Sequence, residues 1–193
     1  MKNRKKLLLN IFETIIISAI ISFVMLNFIV LPCKVYGKSM VPTLNDGDYG
    51  WSFIISKNLD IKRFEICVIN THAGEKKDKL IVKRIIGLPN ETVKYKNNKL
   101  YINGEYIEEN FINDTFTNDF VVTLKNDEYY CLGDNRSISK DSRYYGPFKK
   151  EDIVSTNMFV IYPFSEFGVK KWQFNGFLGT WKRLEDKWKN KSN

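Results

Sequence analysis

Three short segments carry residue types that do chemistry. Ser39 lies in Gly37-Lys38-Ser39-Met40-Val41-Pro42-Thr43-Leu44, with no helical pattern around it and a proline three residues on. A serine hydroxyl on a stiff loop attacks carbonyls only if a base takes its proton; otherwise it is a turn hydroxyl. Lys83 lies in Leu80-Ile81-Val82-Lys83-Arg84-Ile85-Ile86-Gly87. Alternate residues of a strand share a face, so Lys83 falls with Ile81 and Ile85. Desolvation there disfavours the ammonium and lowers its pKa, as a lysine general base requires. The bland alternative is a lysine that snorkels out from an edge strand. The third segment, residues 133–146, has nine polar or charged residues out of fourteen, including Ser139, Asp141 and Arg143, and directly follows a β-like run. Loops on a rigid scaffold carry sites more often than strands do, although a solvated loop has the same composition. Asp141 and Arg143 are spaced to pair with groups on neighbouring loops.

The other chemistries are thinly supplied. His72, the single histidine of the chain, sits in the polar turn Thr-His-Ala-Gly-Glu, eleven residues before Lys83. A histidine-based metal cluster is excluded, and no metal or other cofactor is expected. Three cysteines (Cys33, Cys67, Cys131) are too few for a disulfide scaffold, and an odd count leaves one thiol outside any internal bridge.

The elements that must position these residues fall into two kinds. Residues 7–31 are apolar, and Ile15 to Leu31 form a 17-residue run broken only by Ser18, Ala19, Ser22 and Asn27. A bilayer core needs about 20 apolar residues in a helix, with a lower limit near 17. Lys2, Arg4, Lys5 and Lys6 precede the run and no positive charge follows until Lys34, which places residues 1–6 in the cytoplasm and the rest outside. The run is longer than the apolar region of a cleaved signal peptide, about 7–15 residues, and Leu-Pro-Cys-Lys-Val offers no small-x-small site. Pro32 stands before Cys33 where a lipoprotein needs a small residue. A buried core helix would show a polar stripe, which this run lacks.

From residue 32 to 169 the pattern is β. Short runs at Tyr49–Ser56, Arg63–Asn70, Leu80–Ile86, Glu91–Lys96, Lys99–Ile102, Glu105–Ile107, Phe120–Leu124, Glu128–Leu132 and Met158–Tyr162 are separated by turn residues. Asn97-Asn98 and Asn103-Gly104 mark two tight hairpins. The fold class is therefore mostly β: one amino-terminal helix followed by an all-β ectodomain, a coiled sheet or partly open barrel. Residues 170–193 form a basic tail with Trp172, Trp181 and Trp188, suited either to lying on a membrane surface or to packing on the sheet. The formal charge of +8 is terminal: +4 in residues 1–6, +5 in 170–193 and −1 between. Basic ends on a neutral body fit membrane contact and argue against a nucleic-acid groove.

Together the three segments resemble the bacterial type I signal peptidases. Ser-Met-Val-Pro-Thr at 39–43, Lys-Arg-Ile-Ile-Gly-Leu-Pro at 83–89 and Gly-Asp-Asn-Arg-Ser-Ile-Ser-Lys-Asp-Ser-Arg at 133–143 stand in the family's order behind an apolar segment, and the resemblance spans roughly residues 1–168. It implies a membrane-bound serine endopeptidase that cleaves signal peptides from secretory preproteins. Position by position, it makes Ser39 the nucleophile, Lys83 the general base and Ser139 the residue orienting the amine. Asp141 and Arg143 become a structural pair, and the Ser39 backbone N–H part of the oxyanion hole. Val35, Met40 and Val82 become the lining for small side chains at −1 and −3 of an Ala-x-Ala-like site. Lysine at position 83, where eukaryotic and spore-type relatives have histidine, fits the bacterial subfamily. Gly37 departs from members with a serine there, Asn90 replaces a common glycine, and Ile138 replaces a frequent asparagine. The short segment between Gly87 and Gly133 implies that the accessory β-domain of larger members is absent or reduced. Two rival readings remain: a Ser-Lys processing protease with another substrate, and an inactive membrane-anchored domain that binds extended peptides.

Overall fold

The computed structural model describes residues 2–58, 60–72, 80–112, 118–163 and 168–169. Helix α1 runs Lys2–Val24 and continues as a π-helical turn, Met25–Ile29. The stretch Arg4–Ile29 is 26 residues long, and its most apolar 18-residue window has mean hydropathy 2.3 with none of that window buried against the rest of the chain. At 1.5 Å per residue such a helix is about 39 Å long, enough to cross a hydrocarbon core of about 30 Å. Two of its polar side chains bond back to their own helix: Thr14 Oγ1 donates to Asn10 O and Asn27 Nδ2 to Phe23 O, both at 2.8 Å. Such bonds are what a polar residue needs where no water reaches it.

The apolar run does not stay helical to Leu31. Strand β1 takes Val30–Lys34, and Val30 pairs with Phe53 of β2 (Tyr49–Phe53). Composition alone hides this switch, because the last residues of the run are apolar in either state. The other strands are β3 (Ile66–Asn70), β4 (Leu80–Gly87), β5 (Thr92–Lys96), β6 (Lys99–Ile102), β7 (Glu105–Ile107), β8 (Phe120–Thr123), β9 (Glu128–Leu132), β10 (Phe148–Lys149), β11 (Ile153–Tyr162) and β12 (Gly168–Val169). They form an antiparallel sheet of order β1-β2-β11-β3-β4-β9-β10, with β12 added to β11, and a second sheet of order β7-β6-β5-β8. Among the described residues neither closes into a barrel, in keeping with the mostly β, unclosed fold expected. The second sheet occupies the short segment between Gly87 and Gly133.

The expected hairpins are present, with Asn97 (φ 51°), Asn98 (φ 58°), Asn103 (φ 51°) and Gly104 (φ 90°) at the turns. Asn90 also holds positive φ, at 65°, so asparagine serves where glycine is common. Three runs differ from expectation. That at Tyr49–Ser56 leaves the strand after Phe53 for a 3-10 turn at Ile55–Asn58. The stretch from Arg63 becomes strand only at Ile66, because Phe64 takes φ 72°. The last run starts at Ile153, five residues early, and β11 pairs with β2 along one part and with β3 along another. Residues 170–193 lie outside the described residues.

Three apolar clusters separate the faces. One, between the sheets, contains Ile86, Val93, Tyr95, Tyr130 and Leu132. A second holds Cys67, Ile85, Cys131 and Ile153, and a third Val35, Met40, Leu44 and Val160. Strand β4 is buried on both faces toward its end, so Lys83 and Arg84 are both interior, at 3% and 0% exposure.

Arg84 is fully bonded there. Its Nε donates to Asp134 Oδ1 at 2.8 Å and its Nη2 to Asp134 Oδ2 at 2.6 Å and Thr43 Oγ1 at 3.0 Å. Its Nη1 donates to Phe64 O at 2.7 Å, and the guanidinium stacks 4.1 Å from the Phe111 ring centroid. Thr43 closes the triangle by donating to Asp134. One residue from each of the three chemically suggestive segments thus meets at one buried charge pair. Removing one partner of such a pair leaves an uncompensated charge and costs about 3–5 kcal/mol. Asp134→Ala should therefore lower the urea midpoint by an amount equivalent to about 3–5 kcal/mol, while Lys125→Ala, on an exposed turn, should leave it within about 0.5 kcal/mol.

Candidate functional site

Ser39 sits on a loop between β1 and β2 that the backbone closes tightly. Val35 N donates to Asp48 O at 2.8 Å and Gly47 N to Val35 O at 3.0 Å. Asp46 Oδ1 accepts from Gly37 N at 2.8 Å, and Asp48 Oδ2 from Asn45 N at 2.9 Å. Gly37 takes φ 83°, a conformation that tolerates glycine better than the serine some relatives carry. The Ser39 carbonyl accepts from Asn135 N at 3.1 Å, which locks this loop to the one after β9.

Lys83 reaches the same point from β4. Its Nζ lies 2.7 Å from Ser39 Oγ and donates to Val82 O at 2.9 Å. Burial pushes its pKa down; the carboxylates of Asp141 and Asp134 and the thiols of Cys67 and Cys131 oppose this but do not outweigh it. The opposition is weak because both carboxylates are committed. Asp134 is held by Arg84. Asp141 Oδ1 and Oδ2 accept from Arg143 Nε and Nη2 at 2.9 and 2.8 Å. Asp141 also accepts from Gly133 N at 3.0 Å and from Arg143 N at 3.2 Å, capping the one-turn helix α2 (Ser142–Tyr145). The pair thus closes on itself within one loop, where spacing had suggested partners on neighbouring loops.

Ser139 is near but not joined. Its Oγ is buried with no hydrogen-bond partner, so the bond to Lys83 that the resemblance implies is not made in this structure. Gly133 explains the crowding: a Cβ there would lie 2.2 Å from Ser139 Oγ and 2.5 Å from Ser39 O. Val35 and Met40 are 3% and 1% exposed and pack in one cluster, with the half-buried Val82 against it. His72 pairs with Asp152 at 3.2 Å.

Sequence reasoning missed two braces. The first is the Arg84–Asp134–Thr43 triangle, whose only local signal was a second charge inside an apolar strand. The second is Arg136, whose Nε donates to Gly133 O at 2.9 Å and whose Nη1 donates to Tyr95 OH at 3.2 Å. Arg136 also forms a two-pronged pair with Glu109, tying the site loop to the second sheet. Cys67 and Cys131 are buried thiols with sulfurs 4.0 Å apart beneath Lys83, and Cys33 is free as well. Burial raises the Cys33 pKa to about 11 and that of Cys131 well above its ordinary range, so neither is a thiolate nucleophile at neutral pH.

Fold and site define a class: a hydroxyl–amine pair on an antiparallel β scaffold behind one apolar helix. The family described as "Signal peptidase, peptidase S26" matches residues 8–162. Signal peptidase I of Bacillus amyloliquefaciens is 38% identical over 177 residues, covering 85% of this chain and 93% of the relative. Signal peptidase IB of Staphylococcus aureus (strain MRSA252) is 36% identical over 191 residues, covering 89% and 96%. A crystal structure of a signal peptidase I from Enterococcus faecalis V583 aligns with 32% identity and a TM-score of 0.45, over 50% of this chain and 96% of that one. The chain belongs to the signal peptidase family, peptidase S26, and is a hydrolase.

Burying Lys83 costs stability, and the sign with pH follows from its lowered pKa. The folded form disfavours the ammonium, so the cost is absent above the pKa of free lysine, about 10.4, grows as pH falls through that value and is complete below the folded pKa. Lys83→Met should therefore raise the Tm at pH 7 by about 2–4 °C, and the gain should shrink as pH approaches 10. Equal melting of the two proteins at pH 7 would mean that the amine is not held in an apolar site.

Proposed function

We propose that this chain is a membrane-bound serine endopeptidase that removes N-terminal signal peptides from exported preproteins, with Ser39 as nucleophile and Lys83 as general base. The observation that carries the reading is the 2.7 Å contact between Ser39 Oγ and the nearly inaccessible Lys83 Nζ. A neutral amine accepts the Ser39 proton as Oγ attacks the carbonyl carbon of the scissile bond. The Ser39 backbone N–H stabilises the developing oxyanion. The resulting ammonium then protonates the departing amine, leaving an ester on Ser39. Water, deprotonated by the regenerated amine, hydrolyses that ester and releases the signal peptide. The buried Ser139 hydroxyl, with no other partner, is assigned to orienting the amine. Asp141 and Arg143 hold its loop.

The substrate is a peptide with small residues at −1 and −3. With Val35 and Met40 almost fully buried, the apolar surface beside Ser39 is shallow, and a side chain of alanine size fits it without displacing the core. Helix α1 is assigned to the lipid bilayer, and Lys2, Arg4, Lys5 and Lys6 keep residues 1–6 in the cytoplasm and the β domain outside. Secretory preproteins and the membrane are thus the partners; nucleic acid is not.

In a detergent-solubilised cleavage assay with a secretory preprotein, Ser39→Ala should lose at least about 10³-fold in kcat. A folded Lys83→Arg should be as inactive as Lys83→Ala, because guanidinium offers no lone pair. Wild-type kcat/KM should rise with pH along one limb whose midpoint lies below the free-lysine value. A folded Lys83→Arg enzyme keeping a tenth of wild-type activity would overturn the mechanism. Uncleaved but bound preprotein would favour the peptide-binding reading.

Protease added to wall-stripped cells should digest the β domain while leaving residues 1–6 protected. Full protection of the chain would overturn the topology.

A further inference from the structure

On the loop that carries Ser139 lies a cavity of about 420 Å³ that the reading above leaves unused. Its lining includes Phe120, Tyr130, Arg136, Ser139, Arg143 and Tyr144. We propose that it is the subsite for a substrate side chain following the scissile bond, and that it selects planar uncharged side chains over basic ones; this deepens the peptidase reading and rests on it.

Position argues for the occupant. Ser139 belongs both to the cavity wall and to the surroundings of the nucleophile, since its Oγ and the Ser39 carbonyl crowd the same point above Gly133. The shallow cluster of Val35, Met40 and Val82 assigned to the −1 and −3 residues is a different one from the cluster that Tyr130 and Phe120 join. A peptide with its acyl side on the first cluster continues past Ser39 as an extended chain, and Ser139 is shared between the surroundings of Ser39 and the cavity wall.

Chemistry sets the preference. Phe120 and Tyr130 meet with ring centroids 5.4 Å apart, and Tyr144, 68% exposed, stands at the mouth. The first two rings pack on each other as an aromatic floor, and the exposed Tyr144 ring offers a face on which a flat guest can stack. The two guanidinium groups in the wall are already met, Arg136 by Glu109 and Arg143 by Asp141, and both carboxylates are buried. No carboxylate of these pairs is left to receive an incoming lysine or arginine. Lys140 Nζ, 5.2 Å from the Tyr144 ring centroid, adds positive charge at the entrance. A phenylalanine, tyrosine or glutamine side chain satisfies the walls without confronting those cations.

The test uses the full-length enzyme in detergent and preproteins identical except at the first, second or third residue after the cleavage site, each set to Ala, Phe, Gln or Lys. At one of these positions Phe should exceed Ala in kcat/KM by about three- to tenfold, with Lys below Ala. Tyr144→Ala, at an exposed position that tolerates truncation, should cut that Phe preference to below twofold. Lys140→Glu should narrow the gap between Ala and Lys. Cleavage with a flat profile at all three positions, or a Phe preference unchanged in Tyr144→Ala, would overturn the subsite while leaving the peptidase reading intact. Failure to cleave any member, the alanine reference included, would overturn the peptidase reading and the subsite with it.

Discussion

Arg84 is a guanidinium without access to water, and the geometry of the site depends on how it is satisfied. A buried charge lacking partners would cost more than the fold can spare, whereas Asp134, Thr43 and the Phe64 carbonyl meet its donors. Thr43 is four residues from Ser39, Arg84 is next to Lys83, and Asp134 opens the loop that carries Ser139. Once this triangle forms, the serine, the lysine and the polar loop cannot approach one another in any other register. The pair contributes position more than net stability, because an apolar triad of the same volume would bury at less desolvation cost.

Strand alternation then divides two adjacent cations between two fates. Arg84 points to the face where Asp134 waits. Lys83 points to the other, among Ile81, Ile85, Cys67 and Cys131, and finds a hydroxyl and a carbonyl instead of a carboxylate. The two acids near enough to neutralise it are each taken by an arginine. An ion pair to Lys83 would have raised its pKa; arginine occupancy of Asp134 and Asp141 prevents that.

The second sheet braces the third segment. Arg136 joins Gly133 to Tyr95 and Glu109, so the loop is held from the far side as well as by Asp141 and Arg143. Burial raises the Tyr95 pKa to about 12, which keeps its hydroxyl neutral and its ring available under the guanidinium. A loop fixed at both ends can hold Ser139 against Gly133 with an unspent hydroxyl. Such an unsatisfied group is costly in an ordinary core and is a mark of sites where geometry is kept for another purpose.

The amino-acid sequence by itself determined what local rules write into neighbouring residues. The apolar amino-terminal run, the Asn97-Asn98 and Asn103-Gly104 hairpins, the positive φ at Asn90 and the face shared by Ile81, Lys83 and Ile85 all follow from periodicity and turn chemistry within a few positions. The resemblance of the segments around Ser39, Lys83 and Ser139 to those of the signal peptidase family joined them into one candidate site. Only the tertiary structure decided the strand order, the ten-residue β11 that serves two neighbours, and the placing of Val30 and Leu31 in an edge strand instead of at the end of the helix. It alone paired Arg84 with Asp134 and left Ser139 unbonded. The reason is physical: a turn or a strand face is set by steric preferences of adjacent residues, whereas the partner of a buried charge is set by whichever distant group burial brings within 3 Å.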